Sequence, residues 1–284
     1  MLVKTYGSAL YGIHAITITV EVCIDQGINF FMVGLPDNAV KESHHRIDSA
    51  LRNIGYKIPG KKIVINMAPA DIRKEGSSYD MTIAAGILAA DGVIKPGKLE
   101  SYMIMGELSL DGSILPVKGA LPIAIEAQRH GFRGILLPAA NAREAAIVSK
   151  LEVYGIERLN QVIDFFNDSV ILEREIVNTK EDFLSRVNEY DYDFADVKGQ
   201  ENIKRALEIA AAGGHNAVLI GPPGAGKTML AKRLPSILPP LNLQEALETT
   251  KIHSVAGRMA RNIALITTLP FRSPHHTISD DIIS

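Results

Sequence analysis

Eight residues late in the chain carry the clearest chemical instruction, "GPPGAGKT" from Gly221 to Thr228. They satisfy G-x-x-x-x-G-K-[ST], the spacing of a phosphate-cradling loop. Gly221, Pro222, Pro223, Gly224, Ala225 and Gly226 form the loop. Its glycines let the backbone wrap closely, so that N–H groups face phosphate oxygens. Lys227, Thr228 and Met229 open the helix behind it. There the Lys227 ammonium neutralises β/γ-phosphate charge and the Thr228 hydroxyl ligates Mg²⁺. The bare pattern also arises by chance in proteins that bind no nucleotide. The setting argues for the functional reading: "NAVLI" before the loop reads as a buried strand and "MLAKRL" after it as a helix. That is the strand–loop–helix order the chemistry needs.

Phosphoryl transfer also needs an acid in the Mg²⁺ shell, usually at the end of an apolar strand. "NIALITTL" (Asn262 to Leu269) reads as a strand but closes on Pro270 without an acid. Asp280 and Asp281 follow only the polar "HTIS". The expectation is that the chain stops inside its nucleotide-binding domain and by itself hydrolyses little or no ATP.

Other reactive side chains read as ordinary structure. His44 and His45 fall on one helix about 100° apart, so they cannot chelate together, and no Cys, Asp or Glu cluster accompanies them. His275 and His276 sit in a Pro-flanked loop, a structural setting by default. The pairs Lys61-Lys62 and Arg73-Lys74 read as solvated surface, with a minor nucleic-acid contact as the alternative. Cys23 is the single cysteine, so no disulfide forms within the chain; it reads as a small buried hydrophobe in a reducing compartment.

The elements that must hold these groups follow from periodicity. In "AITITVEVCI" Ile16, Ile18, Val20, Val22 and Ile24 share one face at period two, a half-buried strand. "GINFFMVGL" reads as a more buried strand. "PDNAVKESHHRIDSALRNIG" is a helix with Val40, Ile47, Leu51 and Ile54 along one stripe and Gly55 as its stop. "KKIVINMAP" is a strand and "YDMTIAAGILAADG" an apolar helix. "MIMGELSLDGSILPV" reads as a hairpin around Asp111-Gly112. A helix from about Gly119 to His130 and the strand "RGILLP" follow. Residues 169–193 are charge-rich and read as a partly helical linker. "QENIKRALEIAAAGG" is a helix whose "AAAGG" end packs closely before the next strand.

At 284 residues the length suits two domains. Hydrophobic content of 46% and charged content of 22% describe a globular protein with sizeable cores. From Asp191 onward 10 Lys/Arg face 9 Asp/Glu, and before it 20 face 23. Neither part has the basic excess of a nucleic-acid footprint, so composition gives a DNA partner no support. The start has no apolar h-region and no run of 18 apolar residues occurs. A cytoplasmic protein with no membrane partner is expected.

From Phe194 to Leu241 the sequence resembles the AAA+ module of the magnesium-chelatase-like family of the ComM/YifB type, and "PFRSPHHTIS" resembles a further signature of it. The resemblance covers nearly the whole chain. It implies ATP and Mg²⁺ as cofactors, a homo-hexameric ring, and ATP-driven remodelling of branched DNA in recombination and natural transformation. It also carries Val197 and Gly199, in "DVKGQ", over as base contacts. Leu269 stands where the family has a basic residue, and "DIIS" does not continue the family's glycine-rich pattern. A chaperone-like ATPase of the magnesium-chelatase class is the alternative, and an ATP-dependent protease of the Lon type a less favoured one.

The first half resembles the Lon-protease-type domain, an α+β fold shared with a small-subunit ribosomal protein, through "KEGSSYD" and "GELSLDGSILPVKGALPIAIEAQRHGFRGILLP". Ser78 falls at the catalytic serine, but the lysine that would take its proton falls on Leu121. Lys118 lies three residues earlier, and Lys74 on the serine's own loop. The expectation is a non-proteolytic α/β domain over 1–168, a linker over 169–193, and the beginning of a P-loop AAA+ domain over 194–284.

Overall fold

The computed structural model describes residues 1–186, 190, 192–259 and 263–273. Contacts gather these described residues into two units: those within 1–178, 249–259 and 263–265, and those within 179–248 and 266–273.

The first unit is built on a seven-stranded sheet. Its strands are β1 (Leu2–Tyr11), β2 (His14–Asp25), β3 (Phe30–Val33), β4 (Lys62–Ala68), β5 (Tyr102–Ile104), β8 (Gly134–Pro138) and β9 (Glu152–Ile156). Between β5 and β8 lies a small hairpin, β6 (Glu107–Leu108) with β7 (Ile114–Leu115). The sheet order is β3-β4-β2-β1-β5-β8-β9. The pairs β1/β2 and β2/β4 are antiparallel and the other four parallel, so the architecture is α/β with a mostly parallel sheet. Its helices are α1 (Asn38–Asn53), α2 (Asp80–Ala90), α3 (Ala120–Arg129), α4 (Ala139–Ala145) and α5 (Leu159–Phe166).

Local sequence explains these elements. On β2, Ile18, Val20, Val22 and Ile24 are buried at period two, and Ile47, Leu51, Ile63, Ile65 and Met67 join them in one core. Helix α1 starts where the Asp37 carboxylate accepts the Val40 N–H at 2.8 Å. Helix α2 is apolar on every side because every residue of it is buried. It lies so close to β2 that a Cβ at position 86 would stand 2.6 Å from the Val22 side chain, which only glycine avoids.

Three readings of this unit change. Strand β3 is not deeply buried: it is a sheet edge, and Phe31 and Val33 are about half exposed. "MIM" leaves the hairpin, because Met103 and Ile104 pair with β8 in the main sheet instead. Cys23 is only half-buried, on the β2 face opposite the core, with its thiol 3.5 Å from Asp25.

The second unit holds α6 (Thr179–Arg186), α7 (Glu201–Gly213), α8 (Lys227–Arg233) and the start of α9 (Leu243–Val255). Asn242 and Glu245 cap α9 reciprocally, at 2.8 and 2.9 Å. Phe194, Val197, Leu207 and Leu230 form its small core. Here the reading of "NAVLI" as a buried strand fails. Residues 215–220 have no strand pairing among the described residues, and Val218 and Ile220 are 83% and 93% exposed. A parallel strand needs a neighbouring ladder to satisfy its backbone, and this unit's described elements are all helical. "NIALITTL" likewise forms no strand over its described residues, although Ala264 and Leu265 are buried. The "AAAGG" end of α7 is mostly exposed rather than close-packed.

Candidate functional site

The phosphate loop lies between the exposed segment 215–220 and α8. Gly224 and Gly226 both have φ of +81°, the left-handed region that a side chain resists, and Gly226 is the residue from which α8 starts. The Lys227 ammonium is turned back into the loop, donating to the carbonyls of Gly221 and Pro222 at 2.8 Å each. It is therefore folded over the loop, on an exposed surface. Thr228 and Met229 are exposed on the first turn, and Leu230 behind them is buried and anchors the helix to the small core.

The "DVKGQ" stretch stands beside this loop through a residue that motif reading passed over. Gln200 adopts φ +59° at the start of α7, and its side-chain amide donates to the Ala225 carbonyl at 3.5 Å. Its nitrogen would lie 3.7 Å from a Cβ at Gly226. The non-glycine residue with positive φ was the hidden signal, and it is invisible without dihedral angles. Gly199 has φ of +70°. Val197 is 2% exposed in the small core, so what it can offer a base is its backbone. The cradle of left-handed glycines, the inward lysine and the free-standing Thr228 fit a triphosphate with Mg²⁺. Among the described residues no three His, Cys, Asp or Glu side chains converge as a metal site.

Ser78 lines a cleft of about 570 Å³ in the first unit, together with Asp37, Arg73, Glu75, Glu107 and Lys118 among others. Leu121 is fully buried in the first turn of α3, and its side chain offers no base. Lys74 corrects an expectation outright: it is not solvated surface but 0% exposed. Its ammonium donates to the carbonyls of Gly34, at 2.8 Å, and Pro69. It thus staples the 34–37 loop to the 69–76 loop, and burial pulls its pKa down. Asp37 reinforces the staple by accepting the Gly76 N–H at 3.0 Å.

Next to Ser78's loop, Asp80 is buried in a bidentate pair with Arg46, at 2.6 and 2.8 Å, and accepts the Leu108 N–H at 3.2 Å. Burial raises the Asp80 carboxyl's pKa, and the Arg46 guanidinium opposes that rise. This pair ties α1 to α2 and to the β6 hairpin, a structural duty. His44 is half-buried against Phe30, ring centroids 4.3 Å apart, and burial lowers its pKa; His45 is exposed. Lys61 pairs with Asp91 at 3.6 Å, and Lys62 sits over the Phe31 ring. His275 and His276, with most of "PFRSPHHTIS" and with Asp280 and Asp281, lie outside the described residues.

Residues 20–141 match the family model described as subunit ChlI of Mg-chelatase, and residues 193–283 match that of magnesium chelatase, subunit ChlI. The chain is 46% identical over 272 residues to YifB of Salmonella typhimurium, which covers 95% of this chain and 52% of that protein. It is 40% identical over 281 residues to the competence protein ComM of Haemophilus influenzae, covering 98% of this chain and 54% of that one. A weaker likeness, 27% over 158 residues, links it to Lon protease 2 of Thermus thermophilus, covering 51% of this chain and 19% of that protein. The chain thus spans about half the length of the curated relatives it matches most strongly. No described helix is long and apolar enough to cross a membrane. With both halves of the sequence matched by chelatase-subunit models and nearly its full length matched by ComM and YifB, the chain belongs to the magnesium-chelatase-like family of the ComM/YifB type.

Proposed function

We propose that residues 221–229 bind ATP with Mg²⁺, and that this site serves a ring-forming motor that remodels branched DNA. The observation that carries the nucleotide part is the inward Lys227 ammonium over a loop of left-handed glycines. Those two carbonyl bonds are exchanged for bonds to β/γ-phosphate oxygens, while loop N–H groups cradle the phosphates. The Thr228 hydroxyl would hold the Mg²⁺, which would supply charge neutralisation to the phosphates. The Gln200 amide bonds the loop at the start of α7, and the family resemblance carries the neighbouring Val197 and Gly199 over as base contacts. The DNA part rests on the family resemblance, with a competence protein among the relatives. The first unit, read as a Lon-type domain without its catalytic lysine, acts as a scaffold.

Titration with a fluorescent ATP analogue tests the nucleotide site. Binding that needs Mg²⁺ and weakens at least about a hundredfold in Lys227→Ala, as expected for loss of a charge-assisted contact in a phosphate site, supports it; equal binding by the variant refutes it. The DNA reading is tested on a labelled four-way junction with a protein of the relatives' full length. ATP-dependent conversion to duplex products, lost in Lys227→Ala, supports it. No conversion refutes it and favours the chelatase-type chaperone, which co-purification with a porphyrin-binding subunit would reveal.

A further inference from the structure

Helix α9 runs unbroken from Leu243 to Val255, and from Thr249 onward its residues group with the sheet unit. Its last turn is tied there by both side chain and backbone. The Ser254 hydroxyl donates to Glu144 Oε1, the oxygen that also accepts the Leu121 N–H at 2.9 Å. The Ser254 carbonyl accepts the Gly119 N–H at 3.0 Å. One turn before Glu144, Asn141 accepts the Val117 N–H and donates to the Val117 carbonyl, both at 2.9 Å. Glu144 is only 5% exposed. A buried carboxyl with two donors on one oxygen is a costly group to leave unsatisfied, so the junction of α3, α4 and α9 is held firmly.

Lys118 lies inside this frame, since the backbone on either side of it is pinned. It lines the Ser78 cleft and also an adjoining cleft of about 300 Å³ that Ser254 and Gly257 help to form. Gly257 has φ of +68°, and a Cβ there would stand 3.0 Å from Lys118 Cε and 3.2 Å from its Cγ. The lysine stem therefore rests directly on the Gly257 turn.

We propose that the Ser254–Gly257 turn is a clamp that sets the position of the Lys118 ammonium at the rim of the Ser78 cleft. Ser254 and Gly257 are positioning residues that act through Lys118.

The test uses the intact chain as wild type, Ser254→Ala and Gly257→Ala. Lys118 acylation by a pulse of succinimidyl ester is followed by peptide mass spectrometry, with exposed Lys57 as internal control. Backbone amide exchange is followed in parallel. Expected in Ser254→Ala is exchange at Gly119 and Leu121 about two- to tenfold faster, the span of one lost hydrogen bond. Lys118 labelling shifts by a similar factor in both variants while Lys57 stays constant. The β2 amides, protected in all three proteins, separate local release from general unfolding. Lys118 labelling and Gly119 and Leu121 exchange at wild-type rates in both variants, with change confined to 249–257, overturn the clamp.

Discussion

Strand β2 and the segment 215–220 use the same vocabulary, alternating or continuous aliphatic residues, and end in opposite environments. Val20 and Val22 are fully buried; Val218 and Ile220 are almost fully exposed. The first has β1 and β4 as ladder partners and α2 packed on its face. The second has none among the described residues. An apolar run states what a segment needs, and only the rest of the fold decides whether the need is met. The sheet unit meets it with its own residues, whereas the phosphate-loop unit has a core of four buried side chains.

The largest expected effect that could break this comparison lies at the Arg46–Asp80 pair. Arg46→Ala strands a buried carboxylate and should cost about 3–5 kcal/mol in urea unfolding of the sheet unit. A loss under about 1 kcal/mol would mean that the unit tolerates what its burial forbids. Next, Ile65→Ala removes a fully buried side chain and should cost about 2–5 kcal/mol.

A titration effect sharpens the same point. Burial holds the Glu144 carboxyl above its ordinary range, with the Ser254 hydroxyl, Leu121 N–H and Asn141 pulling partly the other way. The fold then binds this proton more tightly than the unfolded chain, so stability falls as pH rises from the ordinary carboxyl range to the folded value. Glu144→Gln cannot titrate. Its stability relative to wild type should rise across that window, read from urea midpoints between about pH 4 and pH 7; parallel curves would contradict the burial. The smallest effect belongs to Val218→Ala, expected within about 0.5 kcal/mol because the side chain is already in water. A cost like that of Ile65→Ala would show that the segment is paired in solution and erase the contrast.

Much of the sheet unit was legible because its signals are local. Asp37 before an amphipathic run, and Gly55 with φ of +85° after it, bracket α1 where sequence reading put it. The glycine turn at Gly224 and Gly226 and the helix that follows it were legible for the same reason. Strand β1 escaped because its buried positions, Val3, Thr5, Gly7, Ser8 and Ala9, are mostly small or polar and carry no aliphatic alternation. They are small because α2 and Met105 approach closely, the Met105 sulfur lying 3.2 Å from a Cβ at Gly7. Lys74 misled because a basic pair normally means surface, and only two loops distant in sequence reveal its carbonyl partners. Gln200 and the Ser254–Glu144 junction depend on backbone angles and contacts across 110 residues, which no spacing rule encodes.

The buried Lys74 also gives the protein an internal clock. Its neighbour Arg73 is open to a protease or an arginine reagent, yet the Lys74 amine cannot meet an acylating agent while both loops stay shut. Any acyl group found on it was acquired during an opening of the native state, so its slow modification counts those openings one molecule at a time.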